Sequence, residues 1–238
     1  MKAGILAAGR GERLRSASHP LKPLVEVGGR TLLEHVLHSL GQADVTEVTV
    51  LINEDSLAVR DCISAANWPF PVRWVIETTP SSMHTFLRLV ETLSADGDEE
   101  PFLLSTVDTI AGAQTYARFL KAALSKIAAD VSLALTSPGD DETPLLVSLS
   151  PNDSRVIALG AAAAPWGLAT AGIYLVRASI LREAEEARND GLDALRIFLG
   201  RLLERGYRID GIPIEGAIDV DRPGDIETAE AFLRSAKS

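Results

Sequence analysis

The stretch that most constrains this chain is residues 2–33, KAGILAAGRGERLRSASHPLKPLVEVGGRTLL. Residues 3–8 form an unbroken apolar run closed by Gly9. A run this short, bounded by glycine, reads as a strand buried on both faces, the usual start of an open, mostly parallel sheet. After it, Gly9 and Gly11 lack the side chains that would hold a ligand away from backbone N–H groups. Arg10, Arg13, Arg15 and Lys22 then fall within thirteen residues. Strand, glycine turn and basic cluster, in that order, suit a bound phosphate.

Spacing separates the phosphate-binding designs. A P-loop requires a Gly-Lys pair followed by Ser or Thr, and no Gly-Lys pair occurs in the chain. A dinucleotide fingerprint asks for Gly or Ala three positions after Gly11, where Leu14 stands. What remains is Gly9-x-Gly11-x-Arg13-Leu14, then Leu21-Lys22-Pro23-Leu24, then Val27-Gly28-Gly29 and Leu32-Leu33-Glu34. This combination resembles the signature of the sugar-1-phosphate nucleotidylyltransferase (NTP transferase) family, which joins a nucleoside triphosphate to a sugar 1-phosphate or a similar phosphate ester. The resemblance implies a Rossmann-like α/β fold, with a mixed, mostly parallel sheet flanked by helices and a small antiparallel β insertion.

At 238 residues, 46% hydrophobic and 24% charged, the chain reads as one globular domain over 1–238. It shows no hexapeptide repeat, so it resembles the single-domain type without a β-helix acyltransferase. The net charge of -10 argues against nucleic acid as a partner, because backbone phosphates are bound chiefly by Lys and Arg. On such a chain a local basic cluster marks where anionic substrates are drawn in. The single cysteine, Cys62, excludes an internal disulfide. No run of eighteen apolar residues and no signal-type N-terminus occurs, so a cytoplasmic protein without membrane partners is expected. A homo-oligomer stays open.

Further along, Thr31 and Glu34 predict a capping box opening a helix to about residue 42. Strands are expected at 46–53 and 72–77, with a helix at 56–66 between them. Ser81 or Ser82 should cap a helix through Met83, Phe86, Leu87, Val90 and Leu93, with Ser82, His84 and Thr85 offering polar groups at its start. Residues 101–108 read as a buried strand ending on Asp108, and ligands of open α/β sheets bind beyond the carboxyl ends of strands. A helix at about 113–128 and a strand at 130–136 follow. Short β pieces at 144–150, 155–159 and 168–176 then suggest the antiparallel insertion, on the acceptor side of the pocket. Helices at 179–188 and 192–205, a strand at 207–214 and a helix opened by Pro223 and burying Ile226, Ala229 and Phe232 complete the chain.

The resemblance implies roles. Leu6, Ala7, Ala8, Gly9, Arg10, Gly11, Arg13 and Ser82 would line the nucleotide, with Arg13, Lys22 and Asp108 acting on the reacting phosphates. Lys22, Thr170 and Gly172 would meet the acceptor, and Asp108 with Asp219 would hold Mg2+, Asp221 standing as substitute or as a partner behind them. A capping role ahead of the last helix is the alternative for Asp219 and Asp221. Three departures bear on the substrate. Leu21 precedes the lysine where proline is frequent, Thr106-Val107 precedes Asp108 where glycine is frequent, and a Glu-Lys-Pro segment is missing near residues 155–164. A cytidylyltransferase for a non-sugar phosphate such as phosphocholine or inositol phosphate, or a catalytically weak nucleotide-binding relative, is therefore kept beside the sugar reading.

Overall fold

A computed structural model describes residues 1–9, 11, 13–14, 21–97, 100–112, 114–139, 143–164 and 167–235. Arg10 and Arg15 of the expected basic cluster lie outside the described residues. The elements run β1 (Lys2–Ala7), β2 (Glu26–Val27), β3 (Arg30–Thr31), α1 (Leu32–Gly41), β4 (Glu47–Ile52), α2 (Leu57–Ser64), β5 (Val72–Ile76) and α3 (Ser82–Ser94). Then come β6 (Phe102–Thr106), β7 (Thr109–Ala111), α4 (Thr115–Leu124), β8 (Val131–Thr136), β9 (Leu146–Leu149), β10 (Val156–Leu159) and β11 (Leu168–Val176). Last are α5 (Ala184–Asn189), α6 (Leu195–Glu204), β12 (Ile209–Pro213), β13 (Ala217–Asp219) and α7 (Pro223–Ser235).

β1 is the hub. It pairs in parallel with β4 on one side and β6 on the other, and β4 pairs in parallel with β5. Ala3, Ile5 and Ala7 go to one layer of helices while Leu6 goes to the other. The sheet is mixed because β11 runs antiparallel to both β6 and β8, and β8 pairs in parallel with β12. Helices cover both faces: α1 and α4 share one core with Ile5 and Val50, and α3 and α6 share the other with Leu104 and Leu133. This is the mixed, mostly parallel, helix-flanked sheet that the family resemblance implied.

The refinements are informative. β6 stops at Thr106, two residues before the expected end, so Asp108 sits in the tight turn between β6 and β7 rather than on a strand. The antiparallel addition is the β9–β10 hairpin, whereas β11 runs on into the middle of the main sheet. β11 changes partner at Gly172, from β9 in its first half to β6 in its second. Gly172 has φ +67, and an added Cβ would overlap the hydroxyls of both Thr106 and Thr109. A glycine is thus required where the sheet forks.

Two small ribbons carry the site. β2 and β3 form a hairpin, and β7 pairs antiparallel with β13 with Asp219 opposite Thr109. Neither was visible in the sequence, because two- and three-residue strands have no periodicity to read. α1 opens on the expected capping box, with Thr31 Oγ1 accepting from Glu34 N–H at 3.2 Å and Glu34 Oε2 accepting from Thr31 N–H at 2.8 Å. Such a cap contributes about 1 kcal/mol and fixes where the hairpin hands over to the helix. At the far end α7 buries Ala229 fully, while Ile226 and Phe232 remain half-buried against it. Among the described residues, no helix is long and apolar enough to cross a membrane.

Candidate active site

The carboxyl ends of β1, β4 and β6 open onto a cleft of about 760 Å³. One wall is the glycine turn, with Leu6, Ala8, Gly9, Gly11 and Arg13; the other is the segment from Thr78 through Ser82, with Thr85. Lys22, Asp108 and Asp221 also line the cleft. Asn53, at the end of β4, donates from Nδ2 to the carbonyl of Ala8 at 3.1 Å and so pins the start of the glycine turn. Sequence reading missed it, although the strand-end argument used for Asp108 applies equally to Asn53.

Lys22 sits at the head of a short 3-10 turn, Lys22–Leu24, with Pro23 fixing the next residue. Its side chain is largely buried, and its ammonium lies 2.5 Å from Asp108 Oδ2 and 2.5 Å from Asp221 Oδ1. Burial works against the ammonium, but the two carboxylates outweigh it and raise its pKa above the ordinary lysine range. Burial likewise opposes ionisation of Asp108, and Lys22 overrides it, so Asp108 is held below the usual carboxylate range. Gly11 makes room for this lysine. It has φ +59, and an added Cβ would stand 2.5 Å from the Cβ of Lys22.

Asp219 enters through the β7–β13 ribbon. Thr109 Oγ1 donates to Asp219 Oδ1 at 3.0 Å, and the N–H of Val220 donates to the carbonyl of Asp108 at 3.0 Å, so the ribbon sets the two aspartates side by side. Enclosure by protein first, and the charge of Asp108 second, push the pKa of Asp219 up to about 7. Solvent reaches the outer side of this exposed residue, and water there tempers both effects without reversing them. Asp225, in the first turn of α7, reaches back so that its Oδ2 accepts from the N–H groups of Asp221 and Arg222 at 2.8 and 2.7 Å. Asp221 is thereby presented to Lys22 on a held loop.

Of the other expected site residues, Ala7 is buried in β1 behind the cleft. Ser82 lines the cleft, and its Oγ accepts from the N–H of Leu195 at 3.0 Å, tying α6 to α3. Thr170 lies on β11 beside Leu135, and Gly172 lies against Thr106 and Thr109; neither belongs to the residues that line the cleft. His84 is turned toward Ser81, with Nδ1 2.8 Å from its hydroxyl, and faces a separate depression beside Arg88. Arg13 is exposed on the cleft wall and pairs with no acid among the described residues. Among the described residues no group of three His, Cys, Asp or Glu side chains is arranged to hold a metal ion. The carboxylates at this end of the cleft are instead bridged by the lysine.

Comparison with known proteins gives the family and the fold. The chain is 28% identical to CMP-5'-(3-aminopropyl)phosphonate synthase of Streptomyces rubellomurinus over 97% of its own length and 38% of that protein. It is 34% identical to mannose-1-phosphate guanyltransferase of Emericella nidulans over 46% of its own length and 31% of that protein. The chain thus spans well under half the length of each of these relatives. Among solved structures, the inositol-1-phosphate CTP transferase from T. maritima superposes with a TM-score of 0.82 at 19% identity, covering 100% of this chain and 96% of the other, which shows a shared fold. The sequence pattern of MobA-like NTP transferase domains matches residues 3–197, from β1 into α6, and the chain belongs to that family.

Proposed function

We propose that residues 1–238 work as one unit that transfers a nucleotidyl group from a nucleoside triphosphate to a phosphorylated small molecule, with a sugar 1-phosphate as the first acceptor class. The products are a nucleoside diphosphate sugar and pyrophosphate. A phosphate oxygen of the acceptor attacks the α-phosphorus; the bond from that phosphorus to the β-bridging oxygen breaks, and its electron pair leaves with pyrophosphate. The observation that carries this reading is the Lys22 ammonium, held between Asp108 and Asp221 in a cleft walled by the glycine turn.

Chemistry of this kind asks for positioning and charge neutralisation rather than for a covalent nucleophile. Backbone at Ala8, Gly9 and Gly11 would lie along the phosphates, and the exposed guanidinium of Arg13 would take the departing pyrophosphate as a forked donor. Lys22, a compact charge at the junction of donor and acceptor, would leave its carboxylates for the phosphate at the reacting centre. Ser82 and Thr85, on the opposite wall of the cleft, would meet the ribose and base.

The donors at this end of the cleft fit magnesium. They are carboxylate oxygens, and a magnesium ion needs only one or two of these when substrate phosphates supply the rest. Asp108 and Asp219 would hold it, or Asp221 in place of one. The charge of Asp108 opposes ionisation of Asp219 beside it, and a divalent ion would offset that repulsion. Bound there, the ion would neutralise charge on the triphosphate.

A second reading, cytidylyl transfer to a non-sugar phosphate or phosphonate, is favoured by one observation. The carboxylates among the described residues lining the cleft, Asp108 and Asp221, each already accept from Lys22 through one oxygen, which leaves only part of their acceptor capacity for sugar hydroxyls. Two of the similar proteins are named for CMP or CTP products and donors. Pyrophosphate release, measured for each nucleoside triphosphate against hexose 1-phosphates, inositol 1-phosphate, phosphocholine and an aminoalkyl phosphonate, distinguishes them. Release with a sugar phosphate and added Mg2+ supports the first reading, and release confined to CTP with a non-sugar acceptor supports the second. No release with any pair would leave a nucleotide-binding relative without catalytic power.

A further inference from the structure

A second cavity of about 700 Å³ lies on the other side of the β7–β13 ribbon, between α1, the β2–β3 turn and the last two turns of α7. It nearly matches the catalytic cleft in size and shares no lining residue with it. Its wall carries Arg30 and Arg234, the imidazoles of His35 and His38, and the bare backbone of Gly28 and Gly29. On a chain of net charge -10, two guanidiniums facing one cavity with a single carboxylate, Glu230, form a locally cationic pocket.

The charges there are not consumed by the fold. Arg30 makes no ion pair with any described residue, and Arg234 reaches Glu230 only at 3.8 Å, on the surface. The imidazoles are held neutral: burial first, then Arg30, lowers the pKa of both. His35 Nε2 lies 2.8 Å from the carbonyl of Val27 and donates to it, which fixes the ring and leaves Nδ1 of the neutral imidazole as an acceptor. Such a wall offers cationic forks for an anion beside neutral rings for a planar or polar body.

We propose that this cavity is a second small-molecule site, which takes a phosphate-bearing anion between Arg30 and Arg234 and whose occupant bears on the catalytic lysine. The connection is covalent and short. The β2–β3 hairpin continues directly from the Lys22–Leu24 turn, α7 leads directly from Asp221, and Glu230 Oε1 ties the two by accepting from the N–H of Gly28 at 3.2 Å. An anion held between Arg30, on β3, and Arg234, on α7, pulls directly on the two segments that present Lys22 and Asp221 to each other.

The binding arm does not depend on the catalytic reading; the coupling arm rests on it. Trp68 packs edge-on against His38 with ring centroids 5.3 Å apart, so its fluorescence reports on the cavity wall. Full-length protein is titrated with inorganic phosphate and, separately, with cytidine 5'-monophosphate, in wild type, in Lys22→Ala and in the Arg30→Gln/Arg234→Gln double variant. The expected result is a saturable change that disappears in Trp68→Phe, persists in Lys22→Ala and weakens at least tenfold in the double variant. Saturation by phosphate alone identifies a bare anion site, and tighter saturation by the nucleotide identifies a nucleotide site; both support the proposal. No saturable change, or one lost in Lys22→Ala and kept in the double variant, overturns it. For the coupling, the rate of pyrophosphate release should change at least twofold with the probe in wild type and not in the double variant, whose basal rate should match wild type. An unchanged wild-type rate overturns the coupling and leaves the binding site standing.

Discussion

The ammonium of Lys22 lies 2.5 Å from Asp108 Oδ2, across 86 positions of chain. Each shifts the other in the direction of charge, the lysine upward and the aspartate downward, despite the burial that opposes both. A pair poised in this way has a charge ready to hand over once an anionic substrate enters, and the properties of the cleft follow from how that pair is held.

Asp225 should act through Asp221. Asp225→Ala removes the carboxylate that accepts the N–H groups of Asp221 and Arg222, which frees the loop before α7. A lost cap of this kind costs about 1 kcal/mol of stability. Misplacing the lysine's partner should cost on the order of tenfold to a hundredfold in kcat. Steady-state kinetics beside urea unfolding separates the two effects. Unchanged kcat with the stability loss present would make Asp225 a cap alone.

Gly11→Ala should damage catalysis more than folding. The added Cβ meets Lys22 Cβ at 2.5 Å, and φ +59 disfavours a side chain by about 1–2 kcal/mol. Relieving the overlap with the largely buried Lys22 adds to that stability loss, and displacement of Lys22 should lower kcat by on the order of 10². The same assay pair reads it, and a kcat loss no larger than the stability loss explains would mean that Lys22 is positioned by other contacts.

Asp219 should give the metal-free protein a pH-dependent component of stability. Its folded pKa is raised from 3.8 to about 7 by enclosure and by Asp108, so folding favours the protonated acid. The contribution is fully present below the unfolded pKa, declines as pH rises toward the folded pKa and is gone above it. Asp219→Asn abolishes it. The difference in Tm, wild type minus Asp219→Asn, should fall between about pH 4 and 7 and level off beyond. A difference that stays flat over that window would show that Asp219 ionises freely.

Much of this was legible in the sequence where local rules apply. The apolar run before Gly9 marked β1, Thr31 and Glu34 marked the start of α1, and Ser81 marked the start of α3, because burial period and caps are written within a few residues of one another. The Lys22–Asp221 contact was not, because it spans 199 positions and depends on a three-residue ribbon. The turn that carries Asp108 was read as strand because Pro101 through Val107 is apolar enough to continue it. Thr170 and Gly172 read as acceptor groups from local similarity, while the fork of the sheet places Gly172 behind Thr106 and Thr109, away from the cleft lining.

The most direct test is the rate of pyrophosphate release by wild type, Lys22→Ala and Asp108→Asn, with the productive donor and acceptor at saturating concentration and with circular dichroism confirming that all three are folded. Removing a charge-stabilising group at a reacting centre costs on the order of 10²–10³ in rate, and losses of that size are expected for both variants. Release within threefold of wild type in either folded variant would contradict the placement of the chemistry at Lys22 and Asp108.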